Sequence, residues 1–214
     1  ELVLTDINNT SACLNFIRKA PEFGIRPMVG IDFRNGAKQL YLGIAKNNDG
    51  FRELNSFLSI HSHQSKPLPE VAPEFENVFI IYPFEQLMLL QKTTFRTYEY
   101  IGISIENLRR LPFSPYREAF EKWVVQQPVT FRNKRDFNAH RLLRAIDNNT
   151  LLSKLQTTEE GRPSERMLPL EELSNTYAHI PGIWENTRRL LSQCSIDFQF
   201  GAKRVSQNLQ VFGK

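Results

Sequence analysis

At 214 residues the chain is long enough for one sizeable α/β domain or two small ones. Its 41% hydrophobic and 23% charged residues are ordinary for a globular protein. No apolar run approaches the roughly 18 residues of a membrane-spanning helix and nothing N-terminal reads as a signal peptide, so a cytoplasmic protein with no membrane partner is expected. The net charge of +4 permits a nucleic acid or an acidic neighbour without demonstrating either.

Leu2 to Thr5 predicts a short apolar strand ending in Asp6, so the chain is expected to begin inside a fold, as a trimmed fragment would. Asn8-Asn9-Thr10 supplies N-cap chemistry for a helix through about Ala20, stopped by Pro21 and Gly24. Arg26 to Phe33 predicts the next strand, Asn35-Gly36 a tight turn, and Leu40 to Ala45 a third strand. Asn48-Asp49-Gly50 then opens a helix to about Ile60 with Phe51, Leu54, Phe57 and Leu58 at helical spacing. Residues 64 to 77 hold three prolines and read as a loop. Val78 to Tyr82 predicts an apolar strand, Glu85 to Leu90 a short helix, and Tyr98 to Ile105 a strand. Tyr116 to Trp123 reads as helical and Val124 to Phe131 as another strand. Lys134 to Ile146 predicts an amphipathic helix with Phe137, Leu142, Leu143 and Ile146 on or near one face. Residues 156 to 167 are polar; two further helices follow, near Leu170 to Tyr177 and Pro181 to Cys194. Alternating strands and helices imply a mostly parallel sheet, doubly wound or closed into a barrel, and the lack of a composition break before about residue 200 favours one barrel-like domain of six or seven strands. Cys13 and Cys194, with no C-x-x-C, point to reduced thiols packed as small hydrophobes.

Several segments, in order, resemble the PHP region of bacterial DNA polymerase III alpha subunits. Val3-Leu4-Thr5-Asp6 looks like the family's strand ending in Thr-Asp-His, and Gly24 to Asp32 (GIRPMVGID) is similar to its GIKPIIGCE. Leu40 to Leu54 (LYLGIAKNNDGFREL) resembles LVLLAKNEEGYRNL, and Ala139 to Ile146 (AHRLLRAI) resembles AHDLLLAI. Ile183 to Gly201 resembles the helix and strand that close the domain. The resemblance implies a distorted TIM-like (β/α)7 barrel of the PHP type over residues 1–201. Its first strand, carrying an H-x-H motif, is expected to lie before Glu1, and residues 202–214 look like the lead-in to the polymerase palm.

PHP sites gather divalent metals with His, Asp and Glu at the carboxyl ends of barrel strands, and such a cluster needs many converging donors. The resemblance implies two surviving carboxylates: Asp6, which keeps the family's aspartate, and Asp32, which stands where the family has Glu. Ile7 replaces a His, Pro128-Val129-Thr130-Phe131 replaces a strand end with Asp and His, and Tyr82-Pro83-Phe84 stands where the family often has Ser-Gly-Cys. Asp6 and Asp32 are therefore expected to be vestigial metal ligands or, more plainly, a helix cap and a strand-end carboxylate. No catalytic residue and no cofactor are expected in the fragment beyond a divalent ion at low occupancy. His61-Ser62-His63 copies H-x-H spacing but falls past the predicted helix end, in an exposed loop. His140 is expected to pack or hydrogen-bond rather than act as a base.

The densest basic run, Arg132, Lys134, Arg135, Arg141 and Arg144, offers contact with DNA phosphates or a partner, or else a solvated helix face. No G-x-S-x-G, phosphate-binding loop or G-x-G-x-x-G occurs. What the resemblance implies is a structural and docking module of a replicative DNA polymerase. Its partners would be the remainder of the alpha subunit, the proofreading exonuclease subunit, and DNA through the parent protein. The rival expectation is a metal-dependent PHP phosphoesterase or 3′–5′ proofreading nuclease.

Overall fold

The apolar runs of the chain become a single sheet because each one pairs with the next. The computed structural model describes residues 1–157 and 159–200. Six strands, β1 (Leu2–Ile7), β2 (Pro27–Asn35), β3 (Lys38–Ala45), β4 (Val78–Pro83), β5 (Glu99–Ile103) and β6 (Trp123–Val125), lie side by side in chain order. The sheet curls into a half-barrel against which the helices pack. It is mixed: β1–β2, β4–β5 and β5–β6 are parallel, whereas β3 runs antiparallel to both neighbours. The reversal comes from the tight turn at Gly36 (φ 59°), since a two-residue connection allows only an antiparallel partner.

Side chains alternate between the two sides of the sheet. Ile31, Phe33, Ile80, Tyr82, Ile101 and Ile103 belong to the larger core. It takes in α2 (Asn48–His63) through Leu54, α3 (Phe84–Leu90) through Leu87, and α5 (Leu170–Tyr177) through Tyr177. On the other side Met28, Ile44, Phe79, Ile81, Tyr100 and Val124 meet Leu190 of α6 (Ile183–Ser192), with Cys194 just beyond it. Every residue of β4 and of β5 is buried, as for strands covered on both faces. Glu99 is wholly buried, yet its carboxylate accepts from the Arg96 backbone at 2.8 Å and the Tyr82 hydroxyl at 3.3 Å, and pairs with Lys92 at 3.2 Å. A paired buried charge avoids most of the desolvation cost of a bare one. The thiols of Cys13 and Cys194 are free, buried in separate clusters, and burial pushes both up to about 11.

Several predicted elements are corrected. Tyr116 to Trp123 is not a helix but a series of turns with a short 3₁₀ segment at Phe120–Lys122. The Tyr116 hydroxyl is committed to Leu87 O at 2.8 Å, and the Tyr116 carbonyl accepts from Trp123 Nε1 at 3.1 Å, which holds this segment down by side chains. The strand foreseen to Phe131 stops at Val125. Pro128 has no N–H for a ladder, and the chain beyond it turns to the segment 165–167 through an isolated bridge, Phe131 to Arg166. Helix α1 (Cys13–Lys19) begins later than foreseen, with Ala12 at its N-cap and no side-chain cap. The amphipathic helix exists as α4 (Lys134–Asp147), but its apolar stripe does not enter the core. Leu142, Leu143 and Ile146 are 51%, 64% and 66% exposed. The palm lead-in foreseen at 202–214 and residue Gly201 lie outside the described residues.

Helix α2 is fastened at its first turn. Asn47 caps it by accepting from the Gly50 N–H at 2.9 Å, and the Glu53 carboxylate takes the Glu76 N–H at 3.0 Å and the Asn77 side-chain amide at 2.9 Å. Gly50 is seated against the backbone there: a Cβ on it would stand 1.9 Å from Asn77 O. Gly50→Ala is expected to destabilise the fold by about 1–3 kcal/mol through overpacking. That loss overrides the ~1 kcal/mol gained in helix propensity. Urea denaturation of the two chains measures it.

Candidate functional site

The two carboxylates singled out from the sequence stand on adjacent strands, and the parallel register of β1 and β2 decides where each points. Asp6 pairs with Ile31 and Ile7 with Asp32. Neighbours in register share a face, so Asp32 looks the same way as Ile7, and Asp6 looks the other way. The packing agrees. Leu4, two residues before Asp6, packs with Cys13, Ile17 and Val29 beneath α1, while Met28, which shares a face with Asp32, packs with the α6 side. The Asp6 charge is near enough to Cys13 to add to the upward push on its thiol, after the larger effect of burial. The structure does not bring Asp6 and Asp32 together, and Asp6 does not cap α1.

Asp32 is 5% exposed and accepts three hydrogen bonds. One carboxylate oxygen accepts from Arg34 Nε at 2.9 Å and Arg34 Nη2 at 2.6 Å; the other accepts from Gln39 Nε2 at 2.9 Å. Arg34 lies two residues further along the same strand, hence on the same face, and Gln39 is its partner across the β2–β3 hairpin. A guanidinium thus occupies the charge-balancing role beside Asp32 that a cation would otherwise take. Burial still raises the carboxyl above its ordinary value, opposed by the Arg34 and Gln39 bonds and reinforced by the nearby Glu165 charge. On β1 its neighbour Ile7, 54% exposed, offers no lone pair.

Around the other strand ends the donors are similarly occupied. The Thr130 hydroxyl donates to Glu165 at 2.6 Å, and its backbone N–H donates to Glu165 O at 2.9 Å. His140 Nε2 accepts from the Gly161 N–H at 2.8 Å, which makes it a hydrogen-bond partner. Tyr82 lies in the core with its hydroxyl on Glu99. Among the described residues no group of three or more His, Cys, Asp or Glu side chains is arranged to hold a metal ion. His61 and His63 belong to the last turn of α2, not to a loop, and the His61 Nδ1 meets Phe57 O at 3.0 Å.

The basic run divides in two. Arg132 pairs with Asp136 at 2.8 Å, Arg144 with Asp147 at 2.6 Å, and Arg141 with Glu160. The Arg132 guanidinium in turn holds the Asp136 carboxyl below its ordinary value. Lys134 and Arg135 have no carboxylate partner among the described residues and are exposed. Sequence reasoning passed over Arg34 and Gln39. The signal for Arg34 was present, because a charge two residues along a strand from a carboxylate shares its face; Gln39 needed the hairpin register.

Arg34→Ala is expected to cost about 3 kcal/mol near pH 8, by leaving a buried carboxylate unpaired. The low end of that range applies because Arg34 keeps 29% of its side chain in solvent. A raised folded value favours the protonated acid, so that contribution is complete below the unfolded aspartate value of ~3.9 and is lost as pH rises through the folded value. Without Arg34 the folded value climbs further. The variant's deficit is therefore expected to shrink as pH falls from 8 toward 5, in denaturant titrations of both chains at each pH.

No family model matches the chain. Among curated proteins it is similar to DNA polymerase III subunit alpha of Bacillus subtilis, 24% identical over 95% of this chain. The subunit from Haemophilus influenzae is 23% identical over 92%, and that from Escherichia coli K12 is 22% identical over 94%. The chain spans about a fifth of the length of these relatives. No helix among the described residues is long and apolar enough to cross a membrane. Over 92–95% of its length the chain is thus similar to bacterial DNA polymerase III alpha subunits.

Proposed function

We propose that the chain forms a PHP-type domain over residues 1–201 of a replicative DNA polymerase alpha subunit, with residues 202–214 leading toward the palm, and that it serves there as a structural and docking module. The half-barrel is read as part of a distorted (β/α)7 barrel. The observation that carries the reading is Asp32 locked by Arg34 and Gln39. A carboxylate neutralised by a guanidinium that donates twice to one of its oxygens is a poor ligand, because a metal must first displace a charge-assisted pair. Asp6, on the opposite face, supplies no second oxygen to the same ion. Hydrolysis of a phosphoester by a metal cluster requires several donors converging on one point.

Docking is supported by α4. Leu142, Leu143 and Ile146 form an exposed apolar stripe, and Lys134 and Arg135 at the start of the same helix lack carboxylate partners among the described residues. An apolar centre beside unpaired charge is the composition of an interface. The occupant proposed for this stripe is the proofreading exonuclease subunit.

Equilibrium dialysis against manganese or zinc, with a phosphodiesterase assay alongside, tests the first part. Less than one tightly bound ion per chain and no metal-dependent hydrolysis are expected. Two or more ions with hydrolysis would establish the phosphoesterase or proofreading nuclease instead. For the second part, Leu143→Asp is expected to weaken capture of the exonuclease subunit at least about tenfold, the effect of losing a central interface residue. Unchanged capture overturns α4 as the docking face.

A further inference from the structure

Residues 159–167 cross from α4 to the carboxyl ends of β5 and β6 and are fastened on both sides by polar groups. We propose that this segment is a lid, latched by Glu106 just beyond β5, that swings off the strand ends without unfolding the sheet. The inference concerns the strand ends and does not depend on docking at α4.

On the α4 side, Arg144 Nε donates to the Glu159 carbonyl at 2.8 Å, Arg141 pairs with Glu160, and His140 Nε2 accepts from the Gly161 N–H at 2.8 Å. On the strand-end side, one Glu106 oxygen accepts from Arg162 Nη1 at 2.8 Å and the other from the Ser164 hydroxyl. Gln127, two residues past β6, donates through Nε2 to the Ser164 carbonyl at 2.9 Å. Thr130 holds Glu165 by its hydroxyl at 2.6 Å and its N–H at 2.9 Å, and the Met167 N–H donates to Phe131 O at 3.1 Å. Between the segment and the strand ends a space of about 30 Å³ remains, with Ser104, Glu106 and Gln127 on one side and Arg162, Ser164 and Glu165 on the other. That is room for little more than a water, so the lid is shut.

The attachment is polar throughout. Residues 159–166 read Glu-Glu-Gly-Arg-Pro-Ser-Glu-Arg, with no large apolar side chain to anchor them. In the latch pair Arg162 is 56% and Glu106 45% exposed, and ion pairs so placed hold weakly and are screened by salt. Strand β5 beneath is buried at every residue, so the segment can open while the sheet stays formed. What it covers gives the opening a use. The carboxyl ends of parallel strands are where α/β sheets present their binding groups, and β4, β5 and β6 run parallel. Shut, the lid supplies its own partners to Glu106 and Gln127, groups that a ligand would otherwise meet. Glu165 also lies close enough to Asp32 for its charge to act there, behind the larger effects of burial and Arg34, so the segment reaches toward the end of β2 as well. A ligand approaching these ends must first displace it.

Hydrogen–deuterium exchange of the 214-residue chain, followed by NMR, tests the lid. Glu106→Ala removes both bonds of the latch and is expected to speed exchange of the Gly161, Thr130 and Met167 amides about tenfold, with β4 and β5 unchanged. Raising the salt from about 0.05 M to about 1 M speeds the same amides in the unaltered chain and adds little in the variant. Glu22→Gln, which breaks the exposed pair with Lys19 near the start of the chain, leaves them as they are. Uncovering is read separately with Ser104→Cys, a near-isosteric change that puts a thiol under the lid. Its labelling by a maleimide is expected to run about tenfold faster once Glu106→Ala is added, while the buried Cys13 and Cys194 stay unlabelled. Exchange that ignores Glu106→Ala, exchange that rises equally in β4 and β5, or faster exchange without faster labelling overturns the lid.

Discussion

The turn at Gly36 sends β3 back along β2, and that hairpin places Gln39 opposite Arg34. Arg34, two residues beyond Asp32 on β2, and Gln39 from β3 then close on one buried carboxylate from both sides. The triad is the pivot of the strand-end region. It neutralises Asp32 where burial would otherwise make its charge costly. Asn8 seizes the Arg34 backbone from β1's end, so Arg34 links the end of β1 to the buried acid. A hydrolytic centre needs vacant lone pairs, and Asp32 already accepts three hydrogen bonds across its two oxygens.

Strand geometry supplies the second constraint. With a period of two, adjacent positions in a strand face opposite ways, so a carboxylate's usefulness depends on the parity of its position as well as on its neighbourhood. Asp6 and Asp32 are one register step apart in β1–β2 pairing, and that one step sends them to opposite sides of the sheet. The same arithmetic puts Ile7 beside Asp32, where a lone-pair donor would have counted most.

Much of the fold was legible because local chemistry and final structure agreed. The Asn35-Gly36 turn, the helix at Leu170–Tyr177, the buried Val78–Tyr82 run and the helix opening at Asn48 all follow from short-range rules, and the structure has each of them. Where the expectations missed, the deciding contact was distant in sequence. Tyr116 and Trp123 hold their segment by bonds to Leu87 and to each other, which overrides a helical pattern. The stripe Leu142, Leu143 and Ile146 has the spacing of a core face, but periodicity states only that residues share a side, not that anything covers it. His61 and His63 were set in a loop because the apolar pattern fades at Ile60; α2 nonetheless runs one turn further, ending at His63.

The sequence by itself determined the kind of elements, their order and the family likeness, because these are carried by turn residues, hydrophobic spacing and short motifs that act over a few positions. It also determined that position 7 offers no lone pair, since Ile7 is an aliphatic side chain in any fold. Only the tertiary structure decided that Asp6 and Asp32 face apart and that Arg34 and Gln39 occupy Asp32. Those outcomes depend on strand register and on contacts across tens of residues, and a linear pattern records neither.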